Sequence, residues 1–166
     1  MFVDAADLDP AATYRLLVGS VVPRPIAWVT SGLPPEPLNL APFSSFAWVS
    51  QHPAMLADLH ASSEWFDPET SETEVLGLAT APSVKVGVPR LADAPISMEC
   101  VHERTIEFSA TGGEFVVGRV VAWHIRDDVL DGSRIDTERV RPLGRLAGPR
   151  YSTLGEVTEL PPVPGG

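Results

Sequence analysis

The chain has one cysteine, Cys100, and one lysine, Lys85, among its 166 residues. A single thiol excludes an internal disulfide. Its place in an alternating apolar stretch predicts a small buried hydrophobe. Aromatic residues make up only 7% of the chain. No apolar run reaches the roughly 20 residues that a helix needs to cross a bilayer. Cationic residues are scarce as well: 12 Lys and Arg stand against 22 Asp and Glu, a formal net charge of −10. A field of that sign repels nucleic acid and anionic membrane, so neither is an expected partner. The N-terminal MFVDAADLDP has no basic region and no apolar core, so no signal peptide is read there and a cytoplasmic location is expected. His52, His60, His102 and His124 show no two-ligand spacing and no accompanying cysteine pair, so no metal site is expected. Gly-x-Ser-x-Gly, Gly-x-Gly-x-x-Gly and P-loop patterns are absent.

Turn chemistry is abundant instead. Seventeen prolines and 13 glycines favour many short strands over long helices. The length predicts one domain over 1–166, with 156–166 an extended tail. Around Pro23–Ser50, period-2 alternation with aromatic and β-branched residues predicts strands over 24–30 and 45–50. In the first, Ile26, Trp28 and Thr30 face one way, and Ala27, Val29 and Ser31 the other. Val84, Val86 and Val88 alternate up to Pro89, which predicts a strand over 83–88. Longer strands are expected over 96–108 and 114–125, joined at Thr111-Gly112-Gly113. Trp28, Trp48 and Trp123 lie on these strands and are read as core.

Asp9-Pro10 predicts a helix over 10–18, with Asp9 as cap and Gly19 placed to end it. Ser71 and Glu74 have capping-box spacing before one short helix, and Asp136 is placed to cap another over 136–141. Ala54–Asp67 is irregular, with a helical turn around Met55–His60. The acidic residues are scattered and read mostly as solvated surface.

Asn39, Ser44 and Ser45 bring hydrogen-bonding groups beside Pro42, Phe43 and Phe46. A planar ligand with a polar edge needs such a lining. An ordinary hairpin with polar turn residues fits the same spacing.

The order PRPIAWVT at 23–30 and NLAPFSSF at 39–46 resembles the flavin-reductase-like, FMN-binding split-barrel family. LGLATAPSVKVGVPRLADAPISMEC at 76–100, GRVVAWH at 118–124, RIDTERVRPLGRLAGPRY at 134–151 and LGEVTELP at 154–161 continue the likeness in the family's order. The resemblance implies a mainly β fold, a split β-barrel with a few short helices. It implies FMN as cofactor, with Asn39, Ala41, Ser44, Ser45 and Phe46 along the isoalloxazine and ribityl chain. Thr30 would lie nearby, and Tyr151 would close the pocket. A homodimer and reduction by NAD(P)H are implied too, although no catalytic residue is assigned.

One departure stands out. After His52-Pro53 the family continues with a strand, a loop holding the FMN phosphate, a helix and a strand. This chain passes directly into AMLADLHASSEWFDPETSETEVLGL. The phosphate-binding block is missing, so a truncated barrel is expected, its edges covered by Ala54–Leu78 or by a second subunit. Arg24, Arg145 or Arg150 would then supply phosphate donors from another direction. Two functions follow: an FMN-binding reductase moving hydride from a nicotinamide cofactor to flavin or a partner, or a flavin-free derivative. The derivative's pocket would bind, cyclise or isomerise another small molecule.

Overall fold

The computed structural model describes residues 9–33, 35–44, 56–107 and 114–161, apart from the side chains of Val18 and Leu56. The chain opens with helix α1, Pro10–Ser20. Asp9 caps it by accepting the Ala12 N–H at 2.6 Å. The helix continues through Gly19, which was expected to end it. The Ser20 hydroxyl donates to the Leu16 carbonyl at 2.7 Å, so the last turn is satisfied without a left-handed glycine.

Strands β1 (Arg24–Pro25) and β2 (Ala27–Ser31) follow, dividing the expected 24–30 strand at Ile26. β3 is Asn39–Phe43, antiparallel to β2 from Ala27↔Phe43 to Ser31↔Asn39. Among the described residues the partner of β2 is therefore NLAPF. The strand expected over 45–50 lies outside them, as do Trp48 and the Thr111-Gly112-Gly113 turn. Next come α2 (Leu56–Ala61), where a helical turn was expected, and α3 (Glu72–Val75). β4 (Thr80–Ala81) pairs with β5 (Arg90–Leu91).

β6 (Ile96–Glu107) and β7 (Glu114–Ile125) form a long antiparallel ribbon, with register breaks after Glu99 and His102. A 3-10 turn, Asp127–Val129, leads to β8 (Leu130–Asp131) and β9 (Arg134–Ile135). α4 (Thr137–Val140) is capped by Asp136, whose carboxylate accepts the N–H groups of Glu138 and Arg139. β10 (Gly144–Arg145) then pairs with both β1 and β11 (Tyr151–Ser152). A Cβ at Gly144 would sit 2.6 Å from Pro23 Cβ and 2.8 Å from Ser152 Oγ, so only glycine lets these three strands approach. The chain is mainly β with a few short helices, the split-barrel class expected.

Among the described residues the core holds two small clusters. Ile26, Leu59 and Leu143 are buried together, with Trp28 and Tyr151 packed against them. Ile96, Val129 and Val140 form the other, with Ile125 beside them. Leu59 of α2 thus enters the core, while α3 covers β3, as expected of the segment after Pro53.

Two residues expected inside are outside. Cys100 is exposed, and Trp123 is 56% exposed. Both sit on the β6–β7 ribbon, where Phe115, Val116 and Val120 are exposed too. Phe115 and Val116 are successive residues on opposite faces, so both faces of the ribbon carry exposed apolar side chains with no described layer over them.

The 83–88 strand is also corrected. Residues 84–88 form a bend, because the amides that a ladder would have used are taken by a side-chain carboxylate. Among the described residues no helix is long and apolar enough to cross a membrane.

Candidate functional site

The β2–β3 hairpin sorts its side chains by register. Residues directly opposite in an antiparallel pair share a face. Val29↔Ala41 and Ser31↔Asn39 therefore lie on one face, with Phe43 two residues on. That face is open at Val29 and Phe43, which are 41% and 54% exposed, while Ala27 opposite Phe43 is buried. Asn39 Nδ2 donates to Ser31 Oγ at 3.2 Å and ties the end of the strip across the strands. Its Oδ1 has no partner among the described residues. The result is an apolar strip, Val29, Ala41 and Phe43, ending in an amide.

Thr30 is on the other face, with Trp28, Leu40 and Pro42. Its hydroxyl donates to the Pro89 carbonyl at 2.8 Å. The structure thus brings Asn39 and Ala41 together and turns Thr30 away from them. Ser44 follows β3 and is half-buried. Ser45 and Phe46, the remaining expected ring contacts, lie outside the described residues.

The inner face is backed by residues that the sequence reading passed over. Glu72 Oε2 accepts the Leu40 N–H at 2.9 Å, and Ser71 Oγ donates to the Leu38 carbonyl at 3.1 Å. Ser71 was expected to cap α3 but instead holds the hairpin. Ser71 also lines an open cleft of about 430 Å³ with Leu38, Glu69, Thr73, Thr80 and Pro89. None of the expected site residues lies in it.

Tyr151, expected at the pocket, sits in the β1–β10–β11 sheet. Its register partner is Arg145, which in turn faces Arg24. The Arg145 guanidinium donates to the Tyr151 hydroxyl and lies 4.6 Å from the ring centroid. His60 Nδ1 is 3.0 Å from the same hydroxyl, and its ring meets the tyrosine edge-on at 5.8 Å. Tyr151 is thereby held from two sides. The clue to Arg145 was its place six residues before Tyr151 in one motif, whereas α2 left no signal that it would bring His60 to the same place.

The expected phosphate arginines differ from one another. Arg24 is half-buried and donates to the carbonyls of Val21 and Leu146, at 3.0 and 3.2 Å. It ties β1 to the turn after β10. Arg150 uses only Nε, toward the Ala147 carbonyl at 3.2 Å. Its two terminal amino groups have no partner among the described residues. No group of three or more metal-ligating side chains occurs among the described residues either.

Glu99 and His124 form the other buried polar element. Burial alone raises the Glu99 pKa. Bonds from His124 and from the amides of Val84, Lys85 and Val86 outweigh it and hold the group at about 2.

Comparison with known proteins places this geometry. Residues 56–143 match the model of the flavin reductase like domain. An uncharacterised protein of Halalkalibacterium halodurans, BH2278, is 33% identical, with 96% of this chain and 95% of that protein covered. That match runs over 199 aligned positions, more than the 166 residues here, so the relative carries residues without a counterpart in this chain. The crystal structure of nitrilotriacetate monooxygenase component B from Bacillus cereus is similar at 29% identity and a TM-score of 0.88, covering 96% of this chain and 98% of that one. The 2-nitrobenzoate 2-nitroreductase NbaA of Pseudomonas fluorescens is similar at 28% identity and TM-score 0.88, covering 99% and 98%. A flavin reductase with a split barrel domain from Shewanella frigidimarina shares the fold at 15% identity, with a TM-score of 0.82 and coverage of 98% and 100%.

Proposed function

Because the chain belongs to the flavin reductase like domain family, we propose that it is an FMN-binding oxidoreductase that moves hydride from NADH or NADPH to flavin or a partner. The observation that carries this reading is the open hairpin face. Val29, Ala41 and Phe43 form an apolar strip closed by Asn39, which suits a planar ring with a polar edge. The residues present fit the ring portion of FMN. When bound, FMN supplies the hydride chemistry, and the protein supplies binding, orientation and electrostatics.

In this reading Ala41 and Phe43 support the ring, and Asn39 meets its polar edge with the free Oδ1. Ser44, which follows Phe43, and Ser45 and Phe46, which lie outside the described residues, are proposed as further ring contacts. Tyr151, fixed by Arg145 and His60, supports the hairpin from its inner side, behind the ring. Arg150 takes the phosphate, because its terminal amino groups have no partner among the described residues, while those of Arg24 hold backbone carbonyls. Similarity to a monooxygenase component B supports a role in which reduced flavin is passed to a partner.

Residues 1–166 act as one domain and work as a homodimer. The exposed apolar residues of β6–β7 supply the surface for that contact. A reducing compartment, the cytoplasm, suits a chain with a single uncrosslinked cysteine.

A second reading, a flavin-free pocket, is favoured by one observation. BH2278 carries residues without a counterpart in this chain, and the stretch that the family likeness expects to hold the FMN phosphate after Pro53 would be among them. Purification without added flavin separates the two. Yellow protein that releases FMN on denaturation supports the first. Colourless protein that quenches neither FMN nor riboflavin fluorescence at high micromolar concentration leaves the second.

A further inference from the structure

Glu99 is 3% exposed, and the proposed function does not use it. Its Oε1 accepts the Val84 N–H at 2.7 Å and faces His124 Nε2 at 2.5 Å. Its Oε2 accepts the N–H groups of Lys85 and Val86, at 2.6 and 3.1 Å. Three consecutive amides therefore converge on one carboxylate. A buried charge is tolerated only with such partners, and amides donating to an anion are strong hydrogen bonds. Conversely, the carboxylate decides where the loop goes.

That loop reaches the hairpin. Ser83 Oγ donates to the Val88 carbonyl at 2.6 Å and closes the loop at its base. The Pro89 carbonyl takes the Thr30 hydroxyl at 2.8 Å. A Cβ at Gly87 would come 2.6 Å from Leu33 Cδ2, so the loop packs directly under the end of β2. Thr30 is on the inner face of the hairpin, behind the strip formed by Val29, Ala41 and Phe43. The contacts run continuously from His124 through Glu99, the 84–86 amides and Pro89 to Thr30.

We propose that Glu99 is a positioning residue of the flavin site: by gathering the amides of Val84, Lys85 and Val86 it fixes the 83–89 loop behind β2, and through Thr30 it sets the attitude of the open face on which the ring rests. This rests on the flavin reading above. Glu99 touches no ligand in this scheme. It acts through the loop, and His124 holds its carboxylate from the β7 side.

The test uses the full chain with Glu99→Gln, Thr30→Val and the double variant. Glutamine keeps the volume but presents an NH2 group to N–H donors, so it cannot accept from all three amides. Hydrogen exchange reports the loop, and exchange at Thr105 and Val117, at the far end of the β6–β7 ribbon, reports that the fold is intact. Fluorescence quenching gives the FMN affinity, and visible circular dichroism gives the orientation of bound flavin.

In Glu99→Gln, exchange at 84–86 should accelerate at least about tenfold, the FMN Kd should rise about tenfold, and the dichroism band should change. Thr30→Val should weaken FMN similarly while 84–86 stay protected. The double variant should be no weaker than the worse single one, because both cut the same connection. A freed loop with unchanged Kd and dichroism overturns the proposal. So do unchanged exchange at 84–86 and fully additive losses. If Glu99→Gln does not fold, Thr30→Val decides alone, and unchanged FMN binding there overturns it. Wild-type protein that binds no flavin overturns the functional reading and this role with it. Wild-type binding with an indifferent Glu99→Gln overturns only this role.

Discussion

Glu72 Oε2 accepts the backbone N–H of Leu40 at 2.9 Å, across 32 residues of sequence. Leu40 is fully buried, and its N–H lies on the side of β3 away from β2. Without Glu72 that donor would have no partner inside the protein. Glu72→Ala should lower stability by about 1–3 kcal/mol, the range for a buried group left unpaired. Glu72→Gln keeps an acceptor oxygen and should recover most of the loss. Urea unfolding measures both. Equal midpoints for wild type and Glu72→Ala would mean that the contact contributes nothing net.

The Glu99 carboxylate makes stability depend on pH in a stated direction. Its pKa falls from 4.5 to about 2 in the folded chain. The unfolded chain therefore binds this proton more readily than the folded one. The contribution is complete above about pH 4.5 and is lost as pH falls toward 2. Glu99→Gln should flatten the stability curve in that window and leave its slope above pH 5 unchanged. Denaturation curves at closely spaced acid pH check this, and an unaltered acid slope would count against the assignment.

The ribbon predicts association. Phe115, Val116, Val120 and Trp123 are 49%, 64%, 38% and 56% exposed on one strand. A stable dimer with an obligate interface buries upward of about 2,000 Å². Light scattering should report twice 17.8 kDa at micromolar concentration. Val116→Arg should shift the population toward monomer. A wild-type monomer at that concentration would remove the homodimer from the account.

These residues also show what the sequence made legible. Period-2 alternation located β2, β6 and β7, because a strand's side-chain period does not depend on what packs against it. Asp9 and Asp136 announced their helices because a cap is a local bond. The 84–88 stretch alternated equally well and is a bend, because its amides bond a carboxylate up to 15 residues away. Cys100 and Trp123 alternated correctly as well, yet they lie on a face the chain leaves open. Alternation fixes which side a residue faces but says nothing of whether that side is covered. The site followed the same rule. Asn39 and Ala41 came from one contiguous motif and share a face. His60, Glu72 and Glu99 act across the fold, and nothing local marks them, whereas Arg145 stands six residues before Tyr151 in one motif.

The arginines predict how a phosphate would be read. Arg150→Ala should erase any preference for FMN over riboflavin, because its terminal amino groups have no partner among the described residues. Arg24→Ala should lower the unfolding temperature, since it cuts the ties to Val21 and Leu146, and should leave the FMN-to-riboflavin ratio unchanged. Quenching titrations with both flavins measure the ratio. A preference that survives Arg150→Ala but disappears with Arg24→Ala would reverse the assignment.

The open face makes a final distinction, between Asn39 and the serine it bonds. Asn39 Nδ2 is taken by Ser31 Oγ, and its Oδ1 is left for a ligand. Ser31→Ala cuts only the cross-strand bond, at an exposed site where such bonds contribute about 0.5–1.5 kcal/mol at most. Flavin affinity should then change little, because the Asn39 amide stays in place on β3. Asn39→Ala removes the cross-strand bond and the ligand's partner together. It should weaken flavin by about 1–3 kcal/mol, roughly five- to 150-fold in Kd. The difference between the two variants isolates the ligand contact from hairpin stability. Equal affinity losses would show that Asn39 acts only by bracing the hairpin. Unchanged affinity in both would move the ring off this face.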